Sequence, residues 1–234
     1  MVLSKKQEKV LFFDTGPIIS LVMSRLDWIL PKLKEQFGGK FYITPSVRRE
    51  LIERPITIKR FQFEALQVLK LISDGVLEIY DKIPTKEVNV LINLANSSFK
   101  IGNKTMDIIQ EGEMESLASA LKLNAGVVID ERTIRLFVEN NKGMEKLLER
   151  RFHKNVTPNL TKMNQFSKEL SKVKIIRSIE LVSVAYKLGI LNDYIPKLRG
   201  GKRILVNSIL WSTKYNGCAV TPHEIEEIKK LLLV

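Results

Sequence analysis

Five carboxylates stand where this sequence offers chemistry. Asp14 closes the apolar run Leu11-Phe12-Phe13, and Asp130 closes Val127-Val128-Ile129. Glu50 follows the helix entry Thr44-Pro45-Ser46, while Glu113 and Glu115 follow Gly112 at the head of a patterned segment. The chain has one cysteine, Cys218, and two histidines, His153 and His223, so neither an all-cysteine zinc site nor a histidine-rich site is expected. Carboxylates gathered at one place suit hard divalent cations. Mg2+ or Mn2+ held there activates water and spreads charge on a phosphate. Each acid also has an ordinary reading. Strands commonly stop on polar residues, acids in a first helical turn complement the helix dipole, and Glu50 is flanked by Arg48 and Arg49 on a solvated face. Glu113 and Glu115 lie two apart, roughly 200° around a helix, so only one of them can face a given point.

The elements that position these acids alternate. Strands are predicted at Val10 to Phe13, Phe41 to Ile43, Val76 to Tyr80 and Ala125 to Ile129. Helices are predicted at Pro17 to Met23, Val47 to Glu53, Phe61 to Ile72, Val88 to Ala95 and Glu113 to Leu123, with Asn96 to Thr105 a polar loop. Such alternation implies β-α-β units and a short parallel sheet of four or five strands flanked by helices. Functional groups in an open parallel sheet gather beyond the carboxyl ends of the strands, where Asp14 and Asp130 fall. From Glu131 onward only helices are expected: Thr133 to Asn140, Met144 to Phe152, Ile179 to Leu191, and a last one opened by the capping box Thr221-Pro222-His223-Glu224. Lys162 to Val173 reads as helical or mobile, and Lys197 to Arg203 as a basic loop.

These motifs together resemble the PIN-domain family. Phe12-Phe-Asp14-Thr15-Gly16-Pro17 is similar to its opening motif, Ile43-Thr-Pro-Ser-Val47-Arg-Arg-Glu50-Leu51 to its second, Gly112-Glu113-Met-Glu115-Ser-Leu-Ala118 to its third and Val127-Val-Ile-Asp130-Glu-Arg132 to its fourth. All four occur in the family's order, between Val10 and about Asn140, and Ile179 to Leu191 resembles its closing helix. The resemblance implies a three-layer α/β fold and a metal-dependent ribonuclease related to the toxins of toxin–antitoxin pairs. It implies that Asp14, Glu50, Glu115 and Asp130 form the acidic cluster, with Asp14, Glu115 and Asp130 holding Mg2+ or Mn2+. Thr15 would be a hydroxyl that holds a carboxylate or water, and Glu113 the alternative third acid.

Two stretches depart from that pattern. A basic helical insertion is expected at about 141–176 inside a domain spanning 1–195, with a helical extension over 196–234 packed on or beside it. The 234 residues carry a net charge of +12, and the stretch from Arg150 to Arg203 holds 13 Lys and Arg against three acids. A field of this sign attracts nucleic acid. Arg150, Arg151, Lys154, Lys172, Lys174, Lys202 and Arg203 are therefore candidates for contacts to RNA phosphates. Rival readings are a non-catalytic RNA-binding or scaffold protein, and a toxin held by an antitoxin-like protein at Phe61 and Phe63 or in the C-terminal tail. A homodimer is expected by analogy with the family. No Gly-x-Gly-x-x-Gly or Walker-type loop supports a nucleotide-binding alternative. No apolar run is long enough to span a bilayer and the segment from Met1 to Lys9 has no signal core, so no membrane partner and a cytoplasmic location are expected.

Overall fold

The computed structural model describes residues 8–102, 104–105, 110–139 and 141–233. Met1 to Gln7, Asn103 of the expected polar loop, Asn140 at the end of one expected helix, and Val234 lie outside them. The chain opens with β1 (Val10–Phe13), α1 (Thr15–Met23), α2 (Ile29–Phe37) and β2 (Lys40–Ile43). There follow α3 (Pro45–Arg48), which widens into a π-turn at Arg49–Glu53, then α4 (Gln62–Ser73), β3 (Glu78–Ile79) and α5 (Thr85–Asn96). Next come β4 (Phe99–Ile101), β5 (Lys104–Thr105), α6 (Glu111–Leu123), β6 (Gly126–Val128), α7 (Arg132–Glu139), α8 (Asn141–Phe152) and β7 (Thr157–Pro158). The chain closes with α9 (Leu160–Leu170), β8 (Lys174–Ile176), α10 (Ser178–Lys187), α11 (Gly201–Tyr215) and α12 (Pro222–Leu232).

Five strands form one parallel sheet in the order β3-β2-β1-β6-β8. The central strand β1 is apolar throughout because helices cover both of its faces. Side chains alternate across a strand, so Leu11 and Phe13 enter one core while Phe12 enters the other. The first core joins them to Ile18 and Leu21 of α1, Leu30 of α2, Val68 of α4, Val182 of α10, and Val206 and Leu210 of α11. The second joins Phe12, Val127 and Ile129 to Leu91 of α5, Leu117 of α6, Phe137 of α7, Leu148 of α8 and Phe166 of α9. Burying each of these large side chains contributes about 1.5–3 kcal/mol, so the two cores fix the sheet between them.

Several elements differ from the expectations of the sequence. The region after Glu131 is not only helical. β8 pairs Ile175 with Val127 at the sheet edge, and β7 joins β4 and β5 in a small antiparallel sheet. A three-residue edge strand beside Lys172 and Arg177 is too short to show a period of two. The expected polar loop from Asn96 to Thr105 contains β4 and β5. Lys197 to Arg203 is not wholly a loop: Gly200 takes a left-handed φ of 76°, and α11 begins at Gly201. Lys202 and Arg203 are therefore in the first turn of a 15-residue helix. The extension over 196–234 shares the first core through Leu205, Val206, Ile209, Leu210 and Ile225. Among the described residues no helix is long and apolar enough to cross a membrane.

Candidate active site

The strand order reverses between β1 and β6, since the chain runs outward from β1 to β3 and later returns to β1's other side. Crevices at the carboxyl ends of strands open at such a switch point. Asp14 and Asp130 both sit there. The Asp14 amide donates to the Val128 carbonyl at 3.0 Å, locking the two strand ends together. A hollow of about 200 Å3 opens at this place, lined by Asp14, Thr15, Gly16, Glu50, Gln110, Glu113, Asp130, Glu131 and Gly217. Five of these are acids, and none is Lys, Arg or His.

Each acid arrives by a different local device. Asp14 is the N-cap of α1, and its Oδ2 accepts from the Gly16 amide at 3.4 Å. Thr15, the first residue of that helix, donates its hydroxyl to Glu50 Oε2 at 2.7 Å. Glu50 lies in the π-turn, a widened helical form that re-aims side chains and recurs at functional sites. Glu113 is in the first turn of α6, where its Oε2 accepts from the Gln110 amide at 3.1 Å. Glu131 caps α7 by accepting from the Thr133 hydroxyl at 2.5 Å and the Thr133 amide at 3.1 Å.

Asp130 is the most constrained. Its Oδ2 accepts from Ser20 Oγ and Ser178 Oγ, each at 2.7 Å, and its Oδ1 accepts from the Ser178 amide at 2.8 Å. A carboxylate offers about four lone-pair sites, so most of Asp130 is spent joining α1, β6 and α10. Glu115 does not line the hollow. It is buried, with Oε2 accepting from the Ser46 amide at 3.1 Å at the start of α3. The two glutamates of α6 thus point apart: Glu113 enters the hollow and Glu115 turns to α3.

The electrostatics follow from this packing. Burial pushes the Asp14 carboxyl up to about 6, and the charges of Glu50 and Asp130 add to the rise against the amides of Thr15 and Gly16. Burial and the nearby Asp14 charge push Glu113 up to about 8, with Glu131 and Glu50 adding to the rise and the Gln110 amide opposing it. Among the described residues of the lining, no cationic side chain balances the surplus negative charge. Among the described residues no three metal-ligating side chains form a ready-made cation shell. Oxygen donors with unbalanced charge nevertheless suit Mg2+, which is usually held by only one or two carboxylates and keeps several waters.

The seven candidate phosphate-binding cations do not converge on the hollow. Arg150, Arg151 and Lys154 are exposed at and beyond the end of α8. Lys174 opens β8, and Lys172 precedes it and pairs with Glu169 at 2.5 Å. Both lie at the amino edge of the sheet, opposite the acids. Lys202 and Arg203 lie at the start of α11, whose far end leads to Gly217. A helix rise of 1.5 Å per residue separates them from the hollow by roughly 20 Å.

Sequence reasoning missed Glu131, Ser20, Ser178 and Gly217. Glu131 carried a signal, because an acid two residues before Thr133 is a helix cap. The two serines carried none, since their part depends on three distant segments meeting at Asp130. Gly217 has a φ of 129°, and a Cβ there would come within 3.1 Å of Ser20 Oγ, so glycine lets the chain close over the site. The next residues seal it. The Ala219 amide donates to the Asp130 carbonyl at 3.2 Å, and Cys218 is buried beside Asp130, its thiol pushed up to about 12 by that burial. Compared with known proteins, the chain matches no family model, no curated protein and no solved structure.

Proposed function

We propose that this chain is a divalent-metal-dependent ribonuclease of the PIN kind, hydrolysing phosphodiester bonds in single-stranded or structured RNA. The observation that carries the reading is the meeting of Asp14, Glu50, Glu113 and Asp130 around one hollow at the sheet's switch point, with no Lys, Arg or His among the described residues that line it. Asp14 and Glu113, whose carboxyls burial raises most, would hold Mg2+ or Mn2+ there. When bound, the ion supplies a polarised water and charge neutralisation at the phosphate. Glu50, held by the Thr15 hydroxyl, would orient the attacking water and take its proton. Asp130 fixes the floor of the site through Ser20 and Ser178, and Glu131 adds to the charge that makes the hollow select cations.

A labelled single-stranded RNA incubated with Mn2+ and either the wild-type chain or Asp14→Asn tests this. Cleavage by the wild type alone is expected, and equal cleavage by both would remove Asp14 from the site. One further observation favours control of such a nuclease by a protein of the antitoxin kind. Phe63 is exposed, as are Ile58 before α4 and Leu66 on it, while Phe61 is half-buried, in the segment that follows the Glu50 turn. A small protein that co-purifies with the chain and is released by Phe63→Glu would identify that partner.

A further inference from the structure

We propose that a second groove, leading away from the lip of the acid hollow along α11, holds the RNA strand that flanks the scissile phosphate, with Trp28 and Tyr194 as its base-stacking end. The proposal rests on the ribonuclease reading and names where that site grips its substrate. The groove encloses about 490 Å3, enough for a nucleotide, and its polar lining comes from Ser24, Arg25, Ser208 and Ser212 over an apolar floor.

Four observations select a nucleic-acid strand. Trp28 and Tyr194 are stacked with ring centroids 5.6 Å apart, and Tyr194 is 61% exposed, so its outer face is open to a base. Cations attend them: the Lys32 ammonium lies 5.2 Å from the Trp28 ring centre, and the exposed Arg25 lines the groove. No acid is among the described residues that line it, although Asp27 and Asp193 are sequence neighbours of the two rings. An aromatic platform flanked by cations accepts any base on its face and the phosphates at its side. Ser208 donates its hydroxyl to the Ile204 carbonyl at 2.8 Å, so it meets a ligand as an acceptor, which suits a ribose 2′-hydroxyl.

One wall of the groove also runs toward the site. Ile204, Ser208, Ser212 and Asn216 are spaced by four and share one side of α11 and its C-cap. At the far end of that stripe the Asn216 amide donates to Ser24 Oγ at 3.1 Å, and the next residue, Gly217, lines the acid hollow. From Ile204 to Asn216 the stripe spans about 18 Å at 1.5 Å per residue, room for roughly five nucleotides at a stacked rise of about 3.4 Å. The C-terminal extension, expected from its sequence to contact RNA through Lys202 and Arg203, instead forms one wall of a substrate track through another side of α11.

Binding of a fluorescein-labelled 15-nucleotide oligouridine, measured by anisotropy in EDTA so that no strand is cut, tests the groove apart from catalysis. Tyr194→Ala is expected to weaken binding by about tenfold, as loss of one stacked base does. Arg25→Asn, which tolerates the left-handed φ of 56° at that position, is expected to lower the slope of log affinity against log salt by about one. Tyr215→Ala, an exposed ring of the same helix outside the groove, should leave affinity within about twofold. Unchanged affinity in Tyr194→Ala overturns the groove, as does failure of the wild type to bind. If the wild type also cuts no RNA with Mn2+, the ribonuclease reading falls with it; if it cuts normally, only the groove falls.

Discussion

Two charged clusters meet at the junction of β8 and α10 and behave in opposite ways. Ser178 holds Asp130 of the acid hollow, while its neighbour Arg177 anchors a latch with Arg135, Glu180 and Glu224. In the latch every charge meets its opposite. Arg177 binds Glu180 at 2.6 Å and Glu224 at 2.9 Å, and Arg135 binds Glu224 at 2.7 Å. Burial acts upward on Glu224, but hydrogen bonds from Thr221, Arg135 and Arg177 outweigh it and bring its carboxyl down to about 2. In the hollow the same burial acts on Asp14 and Glu113 with no cation among the described lining residues to answer it, and both carboxyls rise. One cluster is satisfied by the chain itself and fastens α12 to the sheet edge. The other is left with unbalanced negative charge, which under the proposed reading a metal ion from outside would answer, and that contrast separates a candidate site from a strut.

The largest expected effect breaks the hollow without breaking the fold. Asp14→Asn should lower metal-dependent RNA cleavage on the order of 10³-fold, the scale of losing one group that stabilises transition-state charge. The metal-free protein should at the same time melt at a higher temperature, because an amide at this position carries no charge to bury. A variant that loses activity and stability together would mean that Asp14 serves the fold, and the contrast between the clusters would fail.

The latch should answer in the reverse sense. Glu224→Ala leaves the Arg177 and Arg135 guanidiniums facing each other half-buried, at a cost of about 2 kcal/mol. For a chain of this length that lowers the melting temperature by roughly 4–8 °C. The pH dependence also has a sign. A carboxyl lowered in the folded state stabilises fully above its ordinary 4.5, and that stability is lost as pH falls toward about 2. Wild-type melting curves in that acid window should converge on those of Glu224→Ala.

The hollow loses stability in the opposite direction. Glu113 is raised from an ordinary 4.5 to about 8, so between these values the folded chain keeps a proton that the unfolded chain has released. Stability therefore falls as pH rises through that window and is flat above it. After screening, the loss is roughly 1–2 kcal/mol. Millimolar Mn2+ should restore it at pH 8, and Glu113→Gln should remove both the pH slope and the metal's effect on melting. A metal-induced shift that persists undiminished in Glu113→Gln would place the ion elsewhere.

Much of this was legible in the sequence, for reasons particular residues make plain. β1 shows as four apolar residues ending on Asp14 because both of its faces are covered, and α12 is announced by Thr221 and Glu224, whose reciprocal bonds at 3.2 and 2.8 Å form the expected capping box. The hydroxyl of Thr15 holds a carboxylate, that of Glu50, a contact that the resemblance implied and no local pattern marks. What stayed hidden depends on distance along the chain. β8 is made a strand by Val127, 48 positions before Ile175, and α11 opens on glycines and basic residues that read as a loop. The serines that grip Asp130 lie 110 and 48 positions away and carry no local mark of their task.

The smallest effect decides between neighbours. Glu113 and Glu115 stand on one helical turn, and only geometry separates them: the first faces the hollow, the second accepts at Oε2 from the Ser46 amide at 3.1 Å. Glutamine at 115 keeps an oxygen for that amide, so Glu115→Gln should retain α3 and change cleavage by less than about fivefold, the equivalent of roughly 1 kcal/mol. The same change at 113 removes from the hollow itself a carboxyl that a bound ion would draw into its charged form, and should cost at least tenfold more activity than Glu115→Gln does. If the order were reversed, the third acid would be Glu115. The ion would then sit deeper, between α6 and the start of α3, and the bond to Ser46 would have to open to admit it.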